Sequence, residues 1–357
     1  MQIVTDWFKR NFSDPQVALL LLVVISGLLL VTFFADMLAP AIAAVVIAFL
    51  LDGPVTWLKK HGVRHLMAVT GVFLIFMLGG LMVLLAVLPP LVKQIIQFIN
   101  DTPRMLASLQ VLVMNVQEKF PDMISREQAQ EWLASIGAEV TNMGPELVQY
   151  SLSGVAGFIT AMVYLVLVPV MVFFFLKDKP AIFSFVSGLL PKDRPLVDQV
   201  FREGVDRAGD YARGKVYEII IVGVTAYITY QFLDLQYATL LAVATGLSVI
   251  IPYIGAAVVT LPVALVALFQ WGLGSEFAIA VIAYLVLQAL DGNLLAPLLF
   301  SEVVKLHPNA IILAILVFGG IWGLWGVFFA IPLATVANAI LRVWREHTND
   351  LNDKKSE

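Results

Sequence analysis

Cysteine is absent from the 357 residues. Its absence excludes disulfides, iron–sulfur clusters, thiolate metal sites and a cysteine nucleophile. Charge is scarce too: Asp, Glu, Lys and Arg make up 13% of the chain, against about 25% in ordinary soluble domains. The 22 basic and 26 acidic residues give a net charge of −4, and no basic run resembles a nucleic-acid stripe. The sequence has no G-x-S-x-G, H-E-x-x-H, Walker A or G-x-G-x-x-G signature. His61 and His65 have the i, i+4 spacing of metal ligands but lack a third ligand, so they read as solvated loop residues and no metal or cofactor is expected. Without an ATP-binding motif, uphill transport would need an ion gradient or a partner.

What is present is apolar. Hydrophobic residues make up 60% of the chain, and the mean hydropathy is +0.90. Uninterrupted apolar runs of 18 or more residues recur, each long enough to cross about 30 Å of hydrocarbon as a helix. The runs are continuous rather than alternating, which excludes an outer-membrane barrel. The expected fold is an all-α polytopic membrane protein of about eight transmembrane helices, some broken or re-entrant, with amphipathic helices outside the bilayer.

Along the chain, residues 17–35 and 38–51 read as a tight hairpin interrupted by Asp36 and Pro40. A polar loop, residues 52–65, precedes a third span, 66–88, that should stop at Pro89-Pro90. Residues 91–150 read as an extracytoplasmic helical insert, with a helix start at Thr102-Pro103 and a capping box at Ser125-x-x-Gln128. After a span at 151–176, residues 177–215 form an amphipathic segment with Val197, Val200 and Val205 at helical spacing. A C-terminal core, 216–343, would hold spans at 216–233, 235–271, 277–300 and 309–343, followed by a tail at 344–357. The N-terminal spans occupy 1–90. Lys and Arg cluster at both termini, at residues 59–64 and at 177–215, which orients all four towards the cytoplasm and both termini with them. The turn at residues 272–275 should then be cytoplasmic as well.

The placement of the rare charges carries the functional argument. From residue 216 to 341 the basic residue is Lys305, and the acidic ones are Glu218, Asp234, Glu276, Asp291 and Glu302. Most fall at expected span ends, but Asp291 lies well inside an apolar stretch. An ionisable group there costs a few kcal/mol unless it faces a cavity or partner. Gln288 shares its helical face, Asn293 follows two residues on, and Gly292 and Pro297 weaken the helix beyond, freeing carbonyls for a small cation. The bland alternative is a carboxylate that caps a short helix.

A second break, at Pro252-Tyr253-Ile254-Gly255, should split the long 235–271 run. It is either half of a transport site or a plain kink. Gly319, Gly323 and Gly326, with Pro332 beyond, read as packing or a re-entrant turn rather than a binding site. His307 beside Pro308 either titrates near neutral pH or caps a turn. Residues 261–267 (LPVALVA) also resemble residues 331–337 (IPLATVA), an offset of 70 that would make two spans running in the same direction.

Taken together, Ile251-Pro252-Tyr253-Ile254-Gly255, Gln288-x-x-Asp291-x-Asn293-x-x-x-Pro297, Val304-x-Leu306-His307-Pro308 and the Gly319–Gly326 cluster resemble the autoinducer-2 exporter family of bacterial inner-membrane proteins, the PerM-type permeases. The span end Phe173-Phe174-Phe175-Leu176-Lys177-Asp178 resembles that family's pattern too. The resemblance implies a multi-span, homo-oligomeric transporter; some members are associated with export of a signalling molecule and others with sodium–proton exchange. It brings Pro252, Tyr253, Gly255, Gln288, Asp291, Asn293, Pro297, His307 and Pro308 forward as candidates.

The expectation is therefore a secondary transporter of a small polar or signalling molecule in the bacterial inner membrane, coupled to sodium or protons. A monovalent cation/proton antiporter and a non-transporting membrane scaffold are the alternatives. An intramembrane enzyme lacks any nucleophile–base or metal constellation.

Overall fold

In hydrocarbon no water satisfies a backbone N–H or C=O, so apolar runs of this kind close their hydrogen bonds internally as helices. A computed structural model describes residues 15–119, 127–128, 131, 154–188, 191, 194–252, 254–300 and 307–356, and every element among the described residues is helical. The order is α1 (Pro15–Lys60), α2 (His65–Lys119), α3 (Gly154–Lys177), α4 (Lys179–Gly188), α5 (Pro195–Phe232), α6 (Ala238–Ser248), α7 (Ile254–Trp271), α8 (Ser275–Leu290), a π-turn (Asp291–Leu295), α9 (Ala296–Phe300) and α10 (Pro308–Ser356). Among the described residues, four stretches are long and apolar enough to cross a membrane: Met37–Lys60, His65–Val111, Ile254–Trp271 and Ser275–Phe300. The chain is an all-α multi-pass membrane protein.

α1 folds back at Phe34, whose φ of −117° and ψ of 19° leave the helical range. A straight helix would hold Val23 and Val45 about 33 Å apart, yet both line one apolar cavity with Gly27 and Leu38. The second limb runs to Lys60 through Pro54, so the loop is confined to four residues rather than beginning at Asp52. Ala44, Ala48 and Val55 pack there with Ala68 and Val69 of α2 and Val172 of α3.

α2 departs from expectation most. It runs for 55 residues through Pro89, Pro90 and Pro103 without a break. A proline in a spanning helix frees a few backbone groups, which neighbouring turns can satisfy, so it need not end the helix. The boundary drawn at residue 90 thus falls inside one helix, and Thr102 is no helix start: its hydroxyl donates to the Phe98 carbonyl at 2.7 Å. Ser125 and most of the remaining insert lie outside the described residues.

α5 is a central mast of 38 residues that joins the amphipathic segment to the following span without interruption. Its Gly209 faces Phe49 of α1, and its Gly223 meets Gly246 of α6. At the end of α5, Asp234 and Tyr237 take positive φ (51° and 56°) and reverse the chain.

α6 and α7 then form a hairpin rather than one crossing. The tip holds residues 249–252, and both ends return to the same level: Gln270 accepts from the Gln236 N–H at 2.7 Å and donates to the Asp234 carbonyl at 2.7 Å. The turn at Gly272–Ser275 therefore sits on the side where α5 ends, opposite to the side expected for it. α8 leaves from that side and crosses back.

α10 makes a second hairpin, reversing at Gly323, where φ is 57° and ψ −134°. Ala314 and Ile315 of its first limb cluster with Val327, Ala330 and Ala334 of its second. The second limb descends along α5, with Val336 against Gly204 and Arg342 paired with Glu203. The limbs containing Pro262 and Pro332 thus run in opposite directions, towards opposite ends of α5. The two similar segments belong to inverted hairpins, not to parallel spans.

Candidate functional site

Where the first hairpin's tip meets α5, the π-turn and α9, a cavity of about 410 Å³ opens, lined by Lys215, Glu218, Pro252, Gln288, Asp291 and Pro297 among others. The helix breaks make it. The tip forms because Pro252 has no N–H for a continuing ladder. It can turn tightly only because Gly255 lies so close to Ser248 that an added Cβ would come 1.8 Å from its carbonyl oxygen. Across the cavity, α8 ends at Leu290, and the Ala296 N–H reaches back five residues to the Asp291 carbonyl. Such π-turns are rare and recur at functional sites.

Asp291 stands at this junction. Its Oδ1 is buried, with no hydrogen-bond partner among the described residues. Gln288, one turn earlier, donates to the Tyr284 hydroxyl at 3.0 Å, and Tyr284 donates to the Ala256 carbonyl at 2.6 Å. That relay fixes α8 to the returning limb of the hairpin.

Lys215 and Glu218 complete the charged set. The Lys215 ammonium lies 2.5 Å from Glu218 Oε2 and 2.7 Å from the Val249 carbonyl, with both side chains almost fully buried. Val249 caps α6, where end carbonyls lack intrahelical partners and the helix dipole is negative, so an ammonium is held there by charge as well as by hydrogen bonding. The rings of Phe300 and Tyr211 flank the ammonium at 5.2 Å and 6.0 Å from their centroids. With both carboxylates ionised, the single ammonium leaves the cluster one negative charge in excess.

Of the expected site residues, the structure brings Asp291, Gln288, Pro252 and Pro297 to one cavity, with Gly255 shaping its tip. Tyr253 lies outside the described residues. Asn293 is exposed and donates to the Ala289 carbonyl at 2.8 Å, a helix-capping contact away from the cavity. His307 is also exposed; its Nδ1 accepts from the Asn309 N–H at 3.2 Å and caps the start of α10. Gly319 and Gly326 serve the second hairpin's close packing, against Val327 and the Phe318 carbonyl, and Pro332 is buried in its returning limb. Lys215, Glu218 and Tyr211 were not among the candidates. Their signal was the i, i+3 pair Lys215–Glu218, hidden by a span boundary drawn between 215 and 216.

Broken helices, inverted hairpins and charged groups gathered at a half-open cavity are the architecture from which membrane transport proteins build their sites. A family model described as AI-2E family transporter matches residues 19–346, and the chain belongs to that family. It is 43% identical over 346 residues to the Escherichia coli (strain K12) protein PerM, named as a permease, covering 96% of this chain and 98% of that protein. It is 26% identical over 354 residues to YrrI of Bacillus subtilis (strain 168), named as a transport protein, covering 94% and 97%.

Proposed function

We propose that the protein is a secondary transporter of the bacterial inner membrane, both termini cytoplasmic, that moves a small polar molecule through the Asp291 cavity in exchange for, or together with, a monovalent cation or proton. The observation that carries this reading is the buried, unpartnered Asp291 oxygen beside two broken helices. A buried carboxylate without a partner is costly, and a bound cation or proton relieves that cost. A volume of about 410 Å³ lies in the range that holds small molecules rather than bare ions alone. The excess negative charge around Lys215, Glu218 and Asp291 favours the narrower reading of a cation/proton antiporter as the second choice.

The test is flux in proteoliposomes under an imposed sodium or proton gradient, with a panel of small polar metabolites loaded inside. Wild-type protein should show gradient-dependent flux, and D291N should lower it by at least about a hundredfold while assembling normally. D291N flux equal to wild type removes Asp291 from the mechanism. Cation exchange with no metabolite movement selects the antiporter.

A further inference from the structure

We infer that the Lys215 ammonium is a tethered competitor for Asp291, alternating with the mobile cation and thereby making the site an exchanger rather than a leak. The inference rests on the proposed role of Asp291 and adds a residue and a rule to it.

An ammonium has three donors. Two of Lys215's are engaged, by Glu218 and Val249, and the flanking aromatic faces tolerate the cation without consuming the third. The ammonium and the unpartnered Asp291 oxygen border the same cavity, close enough for each charge to act on the other. Lysine is suited to such a role because its charge rides on a four-carbon stem with free torsions, unlike the rigid fork of arginine.

Consider the two states of Asp291. With a mobile cation bound, its charge is satisfied, and Lys215 stays on Glu218 and the α6 carbonyl end. With the cation gone, a half-buried carboxylate with an unpartnered oxygen shares its cavity with an ammonium that has a spare donor. Swinging its spare donor to Asp291 while the Glu218 bond is kept shares the ammonium between the two carboxylates without any ion from solution. Because Lys215 is held by Val249 at the hairpin tip, that swing also loosens the tip's charged tether. Cation occupancy and the hold on the hairpin are therefore linked, and by reciprocity the hairpin's state sets cation affinity.

Removing the competitor should raise cation affinity and relax the requirement for a cation on the far side. K215Q alone leaves Glu218 buried without its counter-charge, so the informative variant is K215Q/E218Q, which removes both charges at nearly constant volume; K215R serves as the variant that keeps the charge. In proteoliposomes, half-saturating sodium (at fixed pH) or proton concentration (without sodium) should fall about tenfold in K215Q/E218Q, and flux should persist with no counter-cation in the opposite compartment. K215R should keep the counter-cation requirement. Cation-dependent flux in which K215Q/E218Q matches wild type within about twofold on both measures overturns this inference alone. A wild-type protein with no cation-dependent flux overturns the Asp291 reading and this one with it.

Discussion

In the α6–α7 hairpin Gly255 lies against the Ser248 carbonyl, and in the α10 hairpin Gly326 lies against that of Phe318. At both places an added Cβ would fall 1.8 Å from the oxygen. The backbone device is shared, but the surroundings differ. The first tip presents the Val249 carbonyl to a buried ammonium and borders a charged cavity. The second is dressed in aromatic and aliphatic side chains: Phe318 stacks on Trp322, whose indole donates to Thr32 of α1 at 3.2 Å. One hairpin is built around charge and the other around packing, although a similar seven-residue segment follows both. Similarity of sequence thus marks a shared way of turning and says little about chemistry.

The sharpest way to break this comparison is to substitute both glycines. G255A and G326A should each destabilise by about 3 kcal/mol, measured by unfolding in detergent, because the facing atom is backbone. Flux per folded molecule should collapse in G255A and persist in G326A; equal losses would mean that both tips take part in transport. G246A comes next. Its Cβ would meet Gly223 Cα and the Ile219 carbonyl at 2.9 Å, so about 2 kcal/mol should be lost as α6 is pushed off α5. G323A meets no neighbouring atom but forces alanine into φ 57°, ψ −134°, which should cost about 2 kcal/mol by strain alone; G320A, helical and equally open, should not share that loss. Smallest is Y237F, which removes a hydrogen bond to Asp101 and should lower the stability of the first hairpin by about 1 kcal/mol with the cavity chemistry unchanged.

Much of this was legible in the residues. The apolar runs announced helices, Asp291 stood out because charge is so rare around it, and Pro252 with Gly255 marked a helix break. Lys215 and Glu218 were not legible because a charge beside an apolar run looks like a span end. Only the continuity of α5 carries them into the interior. Pro89 and Pro90 misled in the opposite sense, since a helix in lipid can absorb prolines that would stop one in water. The direction of the hairpins was also hidden. It depends on Gln270 meeting Asp234 and on Arg342 meeting Glu203, contacts between distant residues that no local pattern encodes.

The long helix α2 has one more consequence. Fifty-five residues make a rod about 80 Å long, and the rod grips the base of the first hairpin: Asp101 accepts from Tyr237 at 2.7 Å, and Gln94 accepts from the Leu240 N–H at 2.8 Å. These bonds fasten the hairpin at the end away from the charges, so a swing of its tip would turn about a fulcrum far from the cavity. A displacement of that rod at Gln94 and Asp101 would reach the cavity along the length of α6.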